Sequence, residues 1–484
     1  METEVVVVGA GPTGLMLAGE LRLAGMDVIV LERLEKPTGQ SRGLGFTARA
    51  VEVFDQRGLL PWFGDIEVNP IGHFGGLPLD YSVLEDCHFG ARGVPQSRTE
   101  QVLEEWATDL GADIRRGWEL TDFTETADTV VVEVNSPAGR RELRAEYLVG
   151  CDGGRSVVRG LAGIAFPGTP ATREMYLADV VGCEIRPRFT GERVPGGMVM
   201  SAPLEPGVDR VIVCERGAEP GERTEPIEFA EVAAAWRRLT GEDISGGEAL
   251  WVSAFTDATH LADEYRRGRV LLAGDAAHTH LPAGGQGLSV GVQDAANLGW
   301  KLAATVRGRA PEGLLDSYHT ERHAAGARLL TNTRAQGLLY LSGDEVRPMR
   351  ELLAELMEFD VVRRHLAGMT SGFDVRYDMG AGTHPLPGAR MPNLELVVGA
   401  GRTTVAELLR GGQGLLLDLA ESAEARRVAA GWHDRVDVIR AKPAEPLAGL
   451  ESVLIRPDGH VAWAAPDEAD LGTSLSRWFG APIS

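Results

Sequence analysis

The sequence predicts an α/β protein: a doubly wound parallel sheet, a β-rich insertion within it, and a small α/β domain at the end. Three observations carry that prediction. Residues 5–8, four consecutive valines, run into a glycine turn, an apolar-periodic stretch at 15–23 and a second apolar strand at 28–31, a βαβ unit. Between about 173 and 265 the pattern turns to short strands, and strand patterning returns after a Gly- and Pro-rich loop at 380–392.

The bulk numbers agree. A chain of 484 residues exceeds one ordinary domain. With 44% hydrophobic and 24% charged residues it has the composition of a globular protein, and 61 glycines suit tight turns around a ligand. The net charge of −22 disfavours non-specific binding to nucleic acid or to an anionic membrane surface. The four cysteines, Cys87, Cys151, Cys183 and Cys214, form no C-x-x-C pair, which argues against a disulfide framework and a structural zinc site. No apolar stretch is long enough to cross a bilayer, and the first strand starts too early to leave room for a signal peptide, so a soluble, cytoplasmic protein is expected.

Along the chain, strands are expected at 175–181, 197–202, 210–214 and 249–255, with a hairpin connection at 204–209. The parallel-sheet pattern resumes at 269–274, and 317–366 reads as helical. The last segment carries strands at 414–419, 436–441 and 452–455 and a turn at Arg456-Pro457-Asp458-Gly459. The expected domains are 1–172 with 266–390, a β-rich substrate domain at 173–265, and a C-terminal domain at 391–484.

Gly9-Ala10-Gly11-Pro12-Thr13-Gly14 follows the first strand, opens the helix and is completed by Glu32 at the end of the second strand. Gly9 permits the tight turn, Gly11 lets backbone approach a pyrophosphate, and Gly14 permits helix-on-strand packing. The helix N-terminus offers N–H groups and partial positive charge to the diphosphate, and Glu32 offers acceptors to ribose hydroxyls. This is a Rossmann-like dinucleotide site, although the same glycines would also serve a ligand-free βα turn.

Two further motifs follow. Leu148-Val149-Gly150-Cys151-Asp152-Gly153-Gly154-Arg155-Ser156-Val157-Val158-Arg159 ends a strand in a turn whose Arg155 and Arg159 are expected to meet phosphate. Arg269-Val270-Leu271-Leu272-Ala273-Gly274-Asp275-Ala276-Ala277-His278 leads to Leu281-Pro282-Ala283-Gly284-Gly285-Gln286-Gly287-Leu288. Gly284, Gly285 and Gly287 leave no side chain where a flat ring approaches backbone, and a helix expected to begin near Leu288 aims its positive end at the loop.

The three motifs, in this order, resemble the "DG" and "GD" fingerprints of the p-hydroxybenzoate hydroxylase-like flavoprotein monooxygenases. Leu21-Arg22-Leu23-Ala24-Gly25, residues 43–49, His73-Phe74-Gly75-Gly76-Leu77-Pro78 and residues 453–463 resemble the angucycline-type aromatic polyketide hydroxylases in particular. That resemblance implies FAD as cofactor, NADPH or NADH as transient reductant, and a C4a-hydroperoxyflavin that hydroxylates an electron-rich ring. It further implies cofactor contacts at Asp152, Gly274, Asp275, Pro282, Gly285, Gln286, Gly287 and Leu288, together with Arg42 and Gln96, while Arg33 is placed to reach the adenosine end. It also implies a thioredoxin-like C-terminal domain, here without cysteine and so without thiol redox chemistry.

A substrate pocket is expected between the inserted domain and the flavin, lined by Phe74, Met175, Tyr176, Met198, Met200, Trp251 and Phe255, although each of these also fits ordinary strand core. His278 and His280 lack a convincing third ligand, so no metal is expected. No catalytic acid, base or nucleophile is identifiable. Baeyer–Villiger oxygenation, a flavin dehydrogenase or oxidase, and a non-catalytic flavin-binding sensor or scaffold stay open as alternatives. So do the nicotinamide preference and the choice between monomer and homodimer.

Overall fold

Val5, Val6 and Val7 are fully buried because their strand is flanked on both edges and covered on both faces. In the computed structural model, which describes residues 2–66, 68–84, 91–92, 94–218, 220–221, 226–443 and 449–483, that strand is β1 (Glu2–Val8). Cys87 lies outside the described residues. The chain continues through α1 (Pro12–Leu23), β2 (Val28–Glu32), α2 (Ala48–Asp55), α3 (Gln96–Asp109), β3 (Asp113–Arg116), β4 (Gly139–Gly150) and α4 (Val157–Leu161).

It then builds an antiparallel sheet from β5 (Glu174–Val181), β6 (Arg188–Val194), β7 (Gly197–Glu205), β8 (Val208–Glu215) and β9 (Glu248–Thr256), with α5 (Phe229–Thr240) between the last two. The strand order is β6-β7-β8-β5-β9. One face is closed by α5, where Val232, Ala235 and Trp236 meet Ala178, Val180, Val199, Val211 and Val213. The other face is free of that helix.

Strand β10 (Val270–Leu272) returns the chain to the first sheet. Its parallel core has the order β10-β4-β1-β2-β3, with Val6 between Ile29 and Leu148, and Leu148 beside Val270. Helix α6 (Gln286–Val306) packs on α1, and α7 (Asp316–Leu341), α8 (Arg347–Leu356) and α9 (Asp360–Ser371) follow.

The last unit has β11 (Gly414–Asp418), α10 (Ala423–Ala429), β12 (Val436–Arg440), β13 (Ser452–Ile455), β14 (Val461–Ala465) and α11 (Leu471–Phe479). Its strand order β12-β11-β13-β14, with only β11 and β12 parallel, is the thioredoxin-like arrangement. The turn after β13 inserts into the first domain. Arg456, wholly buried, pairs with Glu321 at 2.6 Å, and Lys301 reaches the same carboxylate at 2.7 Å. Asn297 donates to Asp458, Arg49 to the Asp458 carbonyl and Arg57 to the Pro457 carbonyl. Buried charges are tolerable only when matched this fully.

Candidate cofactor and substrate site

Strands β1, β4 and β10 are parallel neighbours, so their carboxyl ends lie side by side. The turns that follow them are the three sequence motifs: Gly9–Gly14 after β1, Cys151–Asp152 after β4, and Gly274–Asp275 after β10. Glu32 ends β2 on the other side of β1. Motifs about 260 residues apart in sequence thus converge on one edge, where ligands bind in open α/β sheets.

The glycine turn separates packing from access. A side-chain carbon on Gly9, whose φ is +105°, would sit 2.4 Å from the Cys151 carbonyl oxygen, and one on Gly14 would sit 2.0 Å from the Gly9 oxygen. One on Gly11 would meet no atom within 4 Å. Gly9 and Gly14 are therefore glycine because protein fills the space, whereas Gly11 faces open space at the N-terminus of α1. No side chain caps that terminus, and Pro12 stands at its first position. The Glu32 carboxylate accepts from the Ala10 N–H at 2.9 Å and the Leu34 N–H at 2.9 Å, which fixes the turn and leaves lone pairs for a further donor. Thr13 packs against both Gly274 and Gly291, locking the first and third motifs together.

Asp152 is a capping residue: it accepts from Ser156 Oγ at 2.5 Å and from the Val157 and Val158 N–H groups at the start of α4. The Arg159 guanidinium donates to the Gly154 and Ala276 carbonyls and lies over the Phe166 ring, so it ties the second motif to the third. Arg155, Arg33 and Arg42 are exposed. Gln96 accepts from the Gly43 N–H at 3.2 Å and donates to Glu100, which shapes the loop that carries Arg42.

Asp275 is exposed in a single 3-10 turn, while His278 is fully buried. His278 Nε2 meets Asp294 at 2.8 Å; that carboxylate also accepts from the Gly274 N–H and from Arg322 at 2.6 Å. Burial would raise the Asp294 pKa, but Arg322 and His278 hold it below the ordinary value. Arg322 continues to the Tyr377 hydroxyl. The sequence reading missed this network; Asp294 lies on α6, just beyond the third motif. His280 bonds the Leu281 carbonyl through Nδ1.

Helix α6 begins at Gln286, two residues before the expected start near Leu288. Gly284 and Gly285 both have positive φ, and a side-chain carbon on Gly285 would meet nothing within 4 Å. The uncapped α6 N-terminus therefore opens onto a bare backbone loop beside exposed Pro282. Gly287 instead makes room for His280. The Gln286 side chain is buried and turned inward to Ala283 and Asn332. Leu288 Cδ1 would lie 3.7 Å from a side-chain carbon on Gly43, so the loop and the Gly43 segment face each other.

Alternation along the antiparallel sheet sorts the expected substrate residues. Met175 pairs with Phe255, and Asp179 with Trp251, on the face away from α5. Met198, Met200 and Cys214 share that face, and Met175, Met198, Met200 and Phe255 form one apolar cluster with Leu281, Ala283, Tyr340 and Leu341. Four of the expected residues thus share one apolar cluster with Leu281 and Ala283 of the glycine loop. Tyr176 does not: it points to the opposite face and packs with the α5 core. Phe74 is buried in a neighbouring cluster with Leu79, Tyr81 and Leu339.

The same face holds a pair the sequence reading missed. Arg210 binds Asp179 at 2.7 and 2.8 Å, lies 5.5 Å from the Trp251 ring centroid, and donates to the Arg42 carbonyl at 3.4 Å. A charge on a strand face otherwise read as apolar was the available signal.

Comparison with known proteins agrees with this geometry. Residues 2–333 match the FAD binding domain family and residues 384–482 the C-terminal domain of aromatic-ring hydroxylases. The chain is 44% identical, over the full length of both proteins, to a 12-dehydrotetracycline 5-monooxygenase/anhydrotetracycline 6-monooxygenase of Streptomyces rimosus. It is 40% identical, over 99% of each, to a dialkyldecalin synthase of Streptomyces rugosporus. A solved aromatic hydroxylase from angucycline biosynthesis superposes over the whole of both chains with a TM-score of 0.97 at 60% identity. The open backbone at Gly11 and Gly285 and the two uncapped helix N-termini fit FAD, and the chain belongs to the FAD-dependent aromatic hydroxylases, within the p-hydroxybenzoate hydroxylase-like flavoprotein monooxygenases that include the angucycline-type polyketide hydroxylases.

Proposed function

We propose that the protein is an FAD- and NAD(P)H-dependent monooxygenase that hydroxylates a polycyclic aromatic polyketide in antibiotic-type secondary metabolism. The observation that carries this reading is the apolar cluster in which Met175, Met198, Met200 and Phe255 meet Leu281 and Ala283 of the glycine loop. A methionine- and aromatic-lined wall at that loop suits a large flat apolar substrate.

Bound FAD supplies the redox chemistry, taking electrons from NAD(P)H and activating dioxygen. The chain supplies binding and geometry. The α1 N-terminus and the backbone at Gly11, Pro12 and Thr13 would hold the pyrophosphate, with Glu32 for the adenosine ribose and Arg33 for the adenosine end. Asp275 would bind the ribityl or diphosphate region. The backbone of Pro282 to Leu288 would receive the ring system, and the α6 N-terminus would stabilise negative charge on it. Arg42 and Gln96 would supply further contacts to the cofactor. The methionine-lined sheet face orients the substrate ring and excludes water, which supplies proximity and limits wasteful peroxide release.

A second reading is favoured by one observation, the similarity to a dialkyldecalin synthase: this scaffold would then serve ring formation. The test is NADPH oxidation by the purified holoenzyme across a panel of polycyclic aromatic aglycones, with products identified by mass spectrometry. Ligand-stimulated oxidation yielding a phenol or alcohol supports hydroxylation. An ester or lactone indicates Baeyer–Villiger chemistry, and a cyclised product without NADPH consumption indicates the second reading.

A further inference from the structure

Ile71–Phe74 and Leu77–Asp80 pair as an antiparallel hairpin, and a continuous chain of buried amides runs from this 71–80 hairpin to the glycine loop. The Gly75 N–H donates to Gln336 Oε1 at 3.1 Å, and Gln336 Nε2 donates to Asn332 Oδ1 at 2.9 Å. Asn332 Nδ2 donates to Gln286 Oε1 at 2.8 Å, and Gln286 Nε2 donates to the Ala283 carbonyl at 3.0 Å. All three side chains are at most 3% exposed.

The two ends dictate the direction of every bond between them. A backbone N–H at Gly75 demands an acceptor, and a backbone C=O at Ala283 demands a donor. With these ends fixed, no single amide can flip without creating a repulsive contact somewhere in the chain. Such a fully satisfied buried network specifies one register between the parts it joins.

Both parts border the apolar cluster of Met175 and Met198, the loop through Ala283 and the hairpin through His73 on Tyr340. At the hairpin, the Gly75 carbonyl is also held, by Arg350, and a side-chain carbon on Gly75 would lie 2.7 Å from Leu339 Cβ. The neighbouring His73 ring stacks on Tyr340, 5.6 Å between centroids and 7° between planes, and Tyr340 belongs to the cluster of Met175 and Met198. At the other end, Ala283 and Gln286 bracket the bare loop at Gly284 and Gly285.

We propose that Asn332 and Gln336 are positioning residues that lock the glycine loop to the tip of the 71–80 hairpin, so that an aromatic ligand seated beside His73 and Tyr340 sets the loop's position against the flavin. This rests on the function proposed above. Neither residue touches cofactor or substrate in this account; they act through Ala283 and Gly75.

The test uses holoenzyme carrying Asn332→Leu, which removes the middle of the chain at nearly constant volume. Thr333→Val is the control: Thr333 is equally buried on the same helix and bonds only its own helix, to Leu329 and Leu330. The readouts are the change in visible absorption of bound FAD on titration with a polycyclic aromatic aglycone, and the fraction of oxidised NADPH recovered as hydrogen peroxide. Asn332→Leu is expected to retain FAD, to blunt the spectral change and to raise the peroxide fraction by about threefold or more, the scale of coupling such networks carry. Thr333→Val is expected to leave both readouts at wild-type values.

Wild-type coupling and spectral response in Asn332→Leu would overturn the proposal, as would an equal loss in Thr333→Val. Gln336→Met, which cuts the chain at the hairpin end, must reproduce the Asn332→Leu phenotype and decides the matter should Asn332→Leu fail to fold. A wild type with neither a spectral response nor NADPH turnover would overturn the parent function instead, and this proposal with it.

Discussion

At the scale of single residues, the site rests on a distinction among glycines that one fingerprint shares. Gly9 is constrained by protein, since its positive φ and the Cys151 carbonyl both forbid a side chain. Gly11, with φ of −82° and open space where a side chain would be, is constrained by nothing in the chain itself. Gly11→Ala is therefore expected to fold with an unchanged melting temperature yet to weaken FAD binding by about tenfold, through a methyl group placed where the diphosphate must approach. Gly9→Ala is expected to lose stability by about 2 kcal/mol or more, from strain and overpacking. Thermal melts of the apoproteins and fluorescence titration with FAD separate the two; equal stability loss in both variants would contradict this assignment.

These glycines were legible because a strand, a glycine turn and a helix follow one another in consecutive residues, even though the Cys151 carbonyl that crowds Gly9 was out of view. The charge of Arg159 was visible, but its carbonyl partners, one of them 117 residues away, were not. The same blindness hid Asp294–Arg322 and Asp179–Arg210, whose partners lie 28 and 31 residues apart.

At the scale of elements, strand alternation decides which side chains reach the site. The strand positions at 175–181, 197–202, 210–214 and 249–255 were readable, and each lies within an observed strand. Which face belonged to the cofactor side was not readable, because helix α5 went unrecognised and α5 claims the Tyr176 face. Strand β6 escaped notice as well: Arg-Phe-Thr-Gly-Glu-Arg-Val has little apolar alternation and a glycine at φ +74°.

The two faces make opposite predictions. Met200→Trp, on the cluster with Ala283, is expected to raise KM for a bulky aglycone by about tenfold while leaving FAD affinity and melting temperature near wild type. Tyr176→Ala, on the α5 face, is expected to cost about 2 kcal/mol of stability and to leave KM unchanged. Steady-state kinetics and urea melts check both, and a KM effect from Tyr176→Ala would contradict the sorting.

At the scale of the whole molecule, the C-terminal domain is held by a buried turn rather than by an apolar seam alone. The motif that carries it, Arg456 to Gly459, was recognised in sequence as a turn, but its ties to Glu321, Arg49 and Arg57 were out of sight. His460, directly after it, is 5% exposed. Burial, with the nearby Arg49 and Arg456 charges, pushes its pKa down to about 4, against partial opposition from Asp458.

Between the ordinary value of 6.5 and about 4, the unfolded chain takes up a proton that the folded chain refuses. Stability is therefore expected to fall as pH drops through that window, by on the order of 3 kcal/mol for this one group. Urea midpoints at several pH values should show this, and His460→Gln should flatten the dependence. An unchanged slope in the variant would place the acid sensitivity elsewhere.

The central claim is that this site transfers oxygen to an aromatic ring. The most direct measurement is turnover of a polycyclic aromatic aglycone with NADPH under isotopically labelled dioxygen, read by mass spectrometry of the product. A phenol or alcohol carrying one labelled oxygen atom per molecule is expected. A transformed product without label, or NADPH consumed only to peroxide across the aglycone panel, would contradict it.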